Sequence, residues 1–151
     1  MAIREVVQVG NEVLRQKCAP VENFDEELFA LLEDMKHTVK DADGAGLAAP
    51  QIGVSKRVVV VVVEEGYFEF INPIIISEKG EQTDWEGCLS VVGKSGIVTR
   101  PMKVKIAYYD RKGEKHFLQA KGFFARAICH ELDHLDGVLY IDKASHMENN
   151  K

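Results

Sequence analysis

Hydrophobic and polar positions fall into three regimes along the chain. Leu28, Leu31, Leu32, Met35 and Val39 recur at three- and four-residue spacing, the period of one helix face. Asn23-Phe-Asp-Glu26 precedes them and resembles a capping box, with Asn23 as cap and Glu26 reaching back. The spacing predicts a helix over about 25–40 whose apolar stripe is a core face. Gly44-Ala-Gly46 ends it and opens a loop. A strand is expected over 57–64, where six consecutive valines suit burial on both faces. Glu65-Gly66 turns the chain, and 67–71 and 74–77 are strand candidates interrupted by Asn72-Pro73. Lys79-Gly80 makes another turn. Further strands are expected over 96–99, 104–109 and 115–120, the last two joined by a hairpin turn at Asp110-Arg-Lys-Gly113. Gly122 opens a final helix that runs to about Leu135, with Gly137 as its C-terminal cap. Residues after about 145 predict a polar, frayed tail. The order helix, strands, helix predicts an α+β fold, with mostly antiparallel strands packed around a long C-terminal helix, in a single domain over 1–151.

Composition narrows the classes. With 46% hydrophobic residues, 151 residues are enough to bury a core. A net charge of -5, with Lys and Arg scattered, argues against nucleic acid as the main partner. The longest apolar run, Val58–Val63, is too short for a membrane helix. Met1-Ala-Ile-Arg-Glu5 does not begin a secretory signal. Three cysteines, Cys18, Cys88 and Cys129, suit a reducing cytoplasm better than a disulfide framework.

The chemistry concentrates near the C-terminus. His130, Glu131 and His134 form an H-E-x-x-H unit. On a helix, two imidazoles four apart share a face and can grip one ion, and the glutamate between can take a proton from water. Phe123, Arg126 and Ala127 share that face by the same spacing. A third ligand is needed, and Cys88 in Glu86-Gly-Cys-Leu-Ser90 is the candidate. A thiolate with two imidazoles is a known set for a borderline ion; Cys88 as a nucleophile activated by a histidine is the competing reading. Asp133 reads either as a carboxylate orienting a ligand or as a solvated helix charge. Gly44-Ala-Gly-Leu-Ala-Ala-Pro-Gln51 suggests a backbone closely approached by a ligand. It lacks the Lys-Ser/Thr ending of a phosphate loop. Gln51 is either an amide donor to a developing oxyanion or an ordinary loop residue.

Taken in order, Gly44 to Gln51, Glu86 to Ser90 and His130 to His134 resemble the three motifs of peptide deformylases. The similarity runs from about Glu5 to Asp142, and the absence of a long insertion between Glu86 and Arg100 resembles the compact bacterial form. One departure is Cys129, where many members have Gln; its side chain is expected to point off the ligand face. The resemblance implies that Cys88, His130 and His134 hold Fe²⁺, with Zn²⁺ or Ni²⁺ as replacements. It implies Glu131 as general base and then acid, and Gln51 and the Leu89 N–H as oxyanion donors. The main chain of Gly44, Ala45, Gly46 and Leu47 would pair with the peptide. Phe123, the Arg126 stem and Ala127 would line the pocket for the methionine side chain, unless Phe123 is plain core. Arg100 is expected to pair with Glu86 and brace the Cys88 segment. The implied reaction is hydrolysis of the N-formyl group of formylated nascent peptides, releasing formate. A monomer is expected; ribosome association suits a co-translational enzyme, and no residue demonstrates it. A metallopeptidase cutting internal bonds and a non-catalytic peptide binder are the alternatives, and the intact motif positions argue against the second.

Overall fold

The first helical stripe folds as expected, with a different cap. In the computed structural model, which describes residues 2–150, helix α1 spans Glu26–Asp41 and buries Leu28, Leu31, Leu32, Met35 and Val39. Asp25, not Asn23, is the N-cap: its backbone is extended and its carboxylate accepts the Leu28 N–H at 3.2 Å. Both residue types can cap, and the helix takes the one adjacent to its first turn.

Five strands form one antiparallel sheet. They are β1 (Gly46–Ala48), β2 (Val58–Val63), β3 (Gly66–Lys79), β6 (Lys103–Tyr109) and β7 (Lys115–Lys121), in the order β1-β2-β3-β6-β7. A second antiparallel sheet has the order β4-β5-β8, from Gln82–Cys88, Val91–Arg100 and His146–Asn149. Helix α2 spans Phe123–Leu135. The valines of β2 explain the layering. Val58 and Val60 face α1 with Ile71, while Val59 and Val61 face α2 with Phe70, Ile106, Phe124 and Ile128. A strand buried on both faces thus lies between the two helices.

Three expectations change. Residues 67–71 and 74–77 belong to one strand, because Asn72 makes a bulge rather than a break. Asn72 adopts φ 50°, and its side chain bonds both the N–H and the C=O of Val21. Strand β4 was not expected: its only large apolar side chain is Trp85, so no alternation betrays it. The stretch after 145 is not frayed. It pairs with β5 as β8, with Gly96 opposite Met147, because a free strand edge recruits backbone hydrogen bonds that polar residues supply as well as apolar ones.

Candidate metal centre

Helix α2 begins at Gly122, whose φ of 62° lets β7 turn straight into the helix. Alanines and small apolar residues let α2 pack close beneath β1 and β2, and nearly every residue from Phe124 to Leu135 is buried. That burial carries His130, Glu131 and His134 to the seam between the two sheets. Leu89 and Ser90 alone connect β4 to β5, and this tight turn sets Cys88 against the helix. Cys88 Sγ lies 3.5 Å from His134 Nε2. One ligand atom from each of Cys88, His130 and His134 falls within 4.8 Å of the others. Tetrahedral coordination with metal–ligand bonds of 2.0–2.3 Å places its ligands roughly 3.5 Å apart.

Glu86 holds this arrangement together. It accepts Arg100 Nε and Nη2 at 2.8 and 2.9 Å, Arg126 Nη1, and the His130 Nδ1–H at 2.8 Å. Burial opposes ionisation of Glu86, but the Arg100 guanidinium and His130 outweigh it and hold the carboxyl well below the usual range. Because Nδ1–H is given to Glu86, His130 turns Nε2 toward the site. Arg100 also reaches Asp133 at 2.6 Å, and Asp133 meets Lys143, so this carboxylate braces the bracing arginine.

The remaining groups surround the sulfur. The Ser90 N–H points at Cys88 Sγ from 3.4 Å. Gln51 Oε1 accepts the Ala48 N–H at 2.9 Å, which fixes the amide with its NH2 toward Ser90 Oγ (3.1 Å) and Cys88 Sγ (3.5 Å). Glu131 stands beside both histidines, 4.0 Å from each Nε2. Burial pushes its carboxyl up to about 7. Burial lowers His134 to about 3, so its imidazole stays neutral with a lone pair to give. His130 goes the other way: burial lowers it, but Glu131, Cys88 and Glu86 raise it to about 10. Among the described residues, Glu131 Oε1 and His134 Nδ1 have no hydrogen-bond partner in the protein. One soft sulfur and two imidazoles fit a divalent transition ion.

A cleft of about 440 Å³ opens onto these groups. Gly44, Ala45, Gly46, Gln51, Leu89, Phe123, Arg126 and Ala127 all line it. Phe123 is 60% exposed at its rim and is not core. Arg126 is buried, and its head is spent on Glu86 and the carbonyls of Val98 and Gln82, so only its stem can face a ligand. Leu47, expected beside them, does not line the cleft: it is fully buried, with its side chain in the α1-side core. Gly46 is required sterically: a Cβ there would stand 2.7 Å from Glu131 Cγ and Oε2. Cys129 is buried on the core side, off the ligand face. The sequence did not point to Ser90, to the Arg126 contact with Glu86, or to Tyr140, whose ring stacks on His130 at 5.9 Å. An arginine at helical spacing before a ligand histidine was the one available signal.

An α+β fold with an H-E-x-x-H helix and a cysteine at the same point defines a metal-dependent hydrolase. Comparison with known proteins narrows the class. The family model for polypeptide deformylases matches residues 3–150. The peptide deformylases of Desulfitobacterium hafniense and Thermoanaerobacter pseudethanolicus are 50% and 53% identical over 144 residues, covering 95% of this chain and 96% and 91% of theirs. The solved peptide deformylase of Thermotoga maritima superposes with a TM-score of 0.94 at 37% identity, covering 97% of this chain and 100% of its own. The Synechococcus elongatus enzyme, solved with actinonin, gives 0.91 at 39% identity over 95% of this chain and 79% of its own. The chain belongs to the polypeptide deformylase family, hydrolases that remove the N-formyl group from the formyl-methionine of nascent polypeptides.

Proposed function

We propose that Cys88, His130 and His134 hold one Fe²⁺, with Zn²⁺ or Ni²⁺ able to substitute, and that Glu131, Gln51 and Leu89 carry out deformylation around it. The convergence of one sulfur and two imidazoles beside a buried carboxyl carries this reading. An ion there supplies Lewis acidity, which polarises a carbonyl and lowers the pKa of water from about 15.7 towards about 7. Glu131 takes the proton of the attacking water. Its carboxyl, raised to about 7, suits a group that must accept a proton and then return it to the leaving amine. The Gln51 amide and the Leu89 N–H donate to the charge that develops on the formyl oxygen, a contribution of ~10²–10³ in rate per donor.

The substrate peptide lies along the main chain of residues 44–46, an edge that reads backbone rather than sequence. Its methionine side chain enters the pocket walled by Phe123, the Arg126 stem and Ala127. The enzyme acts in the cytoplasm as a monomer, on chains at or just off the ribosome. Three free cysteines and the lack of any helix, among the described residues, long and apolar enough to cross a membrane support that setting.

The test is formate release from formyl-Met-Ala-Ser by anaerobically prepared, Fe²⁺-loaded protein, beside Glu131→Ala with its metal content measured. Formate from the parent and almost none from a metal-retaining variant is the expected result. Equal release from both would remove Glu131 from the reaction.

A further inference from the structure

Strand pairing gathers lysines that are scattered in the sequence. Residues 103–121 carry six Lys and Arg against two Asp and Glu, a net charge of +4 within a chain of -5. Lys103 in β6 stands directly opposite Lys121 in β7 on one side and Lys79 in β3 on the other. Three ammonium groups therefore line one row across three strands, and Lys105, two residues on from Lys103, joins them on the same face. Like charges placed opposite one another destabilise a sheet. Among the described residues, none of Lys79, Lys103, Lys105, Lys115 and Lys121 has a carboxylate within ion-pair distance. The arginine of this segment is different: Arg111 is taken up by Glu33 and Glu69.

An aromatic ring sits among these lysines. Phe117 of β7 is 60% exposed, and the Lys105 and Lys115 ammoniums lie 5.8 and 5.6 Å from its centroid. Ile74, across Ala107 in the same row, is 57% exposed. Helix α1 packs on this side of the sheet over β1 and β2 and leaves the β6–β7 end open. Edge protection against strand addition accounts for lysines on β7, an edge strand, but not for Lys79 and Lys103 on interior strands, nor for an exposed phenylalanine. Lysines that track a phosphate chain around a ring that stacks a base are the elements of a single-stranded nucleic-acid platform on a sheet face.

We propose that this β3–β6–β7 face binds single-stranded RNA, with Phe117 stacking a base and Lys79, Lys103, Lys105 and Lys121 contacting phosphates. Val104 and Ala120, the neighbours of these lysines, pack toward α2, so the lysine face lies on the side of the sheet away from the helix that carries His130 and His134.

The test is fluorescence anisotropy of a labelled 12-nucleotide oligo(U) against the full-length, metal-loaded protein at several salt concentrations, with formate release read on the same samples. Binding should weaken with salt at a log–log slope of roughly -2 to -3, as expected for three or four phosphate contacts to a single strand. Phe117→Ala should weaken it about 5- to 100-fold. Lys103→Glu with Lys121→Glu should abolish it. Both variants should keep the parent's melting temperature and formate release, since none of the three side chains lines the cleft. Absence of binding at 50 mM salt and 100 µM protein would overturn the proposal. So would binding unchanged in both variants, or a preference for phosphatidylglycerol vesicles or an acidic peptide over the RNA. Loss of formate release without loss of RNA binding would instead strike at the deformylase roles and leave this face standing.

Discussion

At the scale of single residues, the site is a chain of dependence that ends in Glu86. Its two oxygens serve Arg100, Arg126 and His130 together, all within the protein interior. Glu86→Gln leaves the buried Arg126 guanidinium without a counter-charge and Arg100 with Asp133 alone, and breaking a buried pair typically destabilises by roughly 3–5 kcal/mol. It also frees the His130 ring, and metal affinity should fall about 10–100-fold. Thermal unfolding and metal titration check the two effects separately. Gly46→Ala is the complementary probe. It leaves every donor in place but drives a methyl into Glu131, so turnover should fall about 10²-fold with metal content unchanged. The H-E-x-x-H pair stood out in the sequence by its spacing, whereas Cys88 and Gln51 were open candidates on their own and took their expected roles from the family resemblance. Arg100 with Glu86 was legible as a charge pair. Ser90 and Tyr140 were not, because a serine N–H aimed at sulfur and a ring stacked on imidazole are facts of position, and no spacing encodes them.

At the scale of elements, hydrophobic period foretold the two helices and the valine strand and missed whatever lacks a period. β8 is held by ladder bonds more than by side chains, with only Met147 packing inward, on Val91, Val98 and Tyr140, while β4 is anchored by the polar side chain of Glu86 and not by an apolar period. Truncation after Ser145 should therefore cost roughly 1–2 kcal/mol and lower Tm by about 2–8 °C, with formate release retained below that temperature. A second element-level test concerns the anchoring of the N-terminal segment on α1. Asp34 accepts the Ala2 N–H and the Arg4 guanidinium at 2.8 Å each. Burial works against its charge, but those two partners prevail and hold its carboxyl below the ordinary 3.8. A carboxyl depressed on folding contributes stability above its unfolded value and loses that contribution as pH falls through its folded one. Asp34→Asn should thus destabilise by roughly 0.5–1 kcal/mol at pH 7, the guanidinium being partly in water. The gap to the parent should close below about pH 3.8. A gap that is constant down to pH 2 would show that the charge contributes nothing.

For the whole molecule, an ion held as proposed would act as a cross-link. Cys88 belongs to the three-stranded sheet and the histidines to the helix packed on the five-stranded one, so a metal bonded to all three fastens the two halves. Chelation should lower the unfolding free energy by about 4 kcal/mol when metal had been present at a thousand times its dissociation constant. Calorimetry with and without a chelator measures it. Thiol titration adds a count. Burial raises Cys18, and raises Cys129 to about 11, so only Cys88 should react promptly at pH 8 once the ion is gone. Net charge read from the sequence gave a true total but hid its distribution, because lysines two apart on paired strands form a patch that no run of letters displays.

The site draws on four stretches far apart in the chain: the segment around Gly46 and Gln51, the β4–β5 turn, Arg100, and α2. The shortest fragment that contains them all runs from Gly46 to His134, more than half of the polypeptide. Catalysis here is consequently an all-or-none property of the finished fold. Heat or urea should extinguish turnover along the same curve that melts the sheets, with no active remnant before it and no silent native form after refolding, so the rate of formate production doubles as a gauge of how much native protein a sample holds.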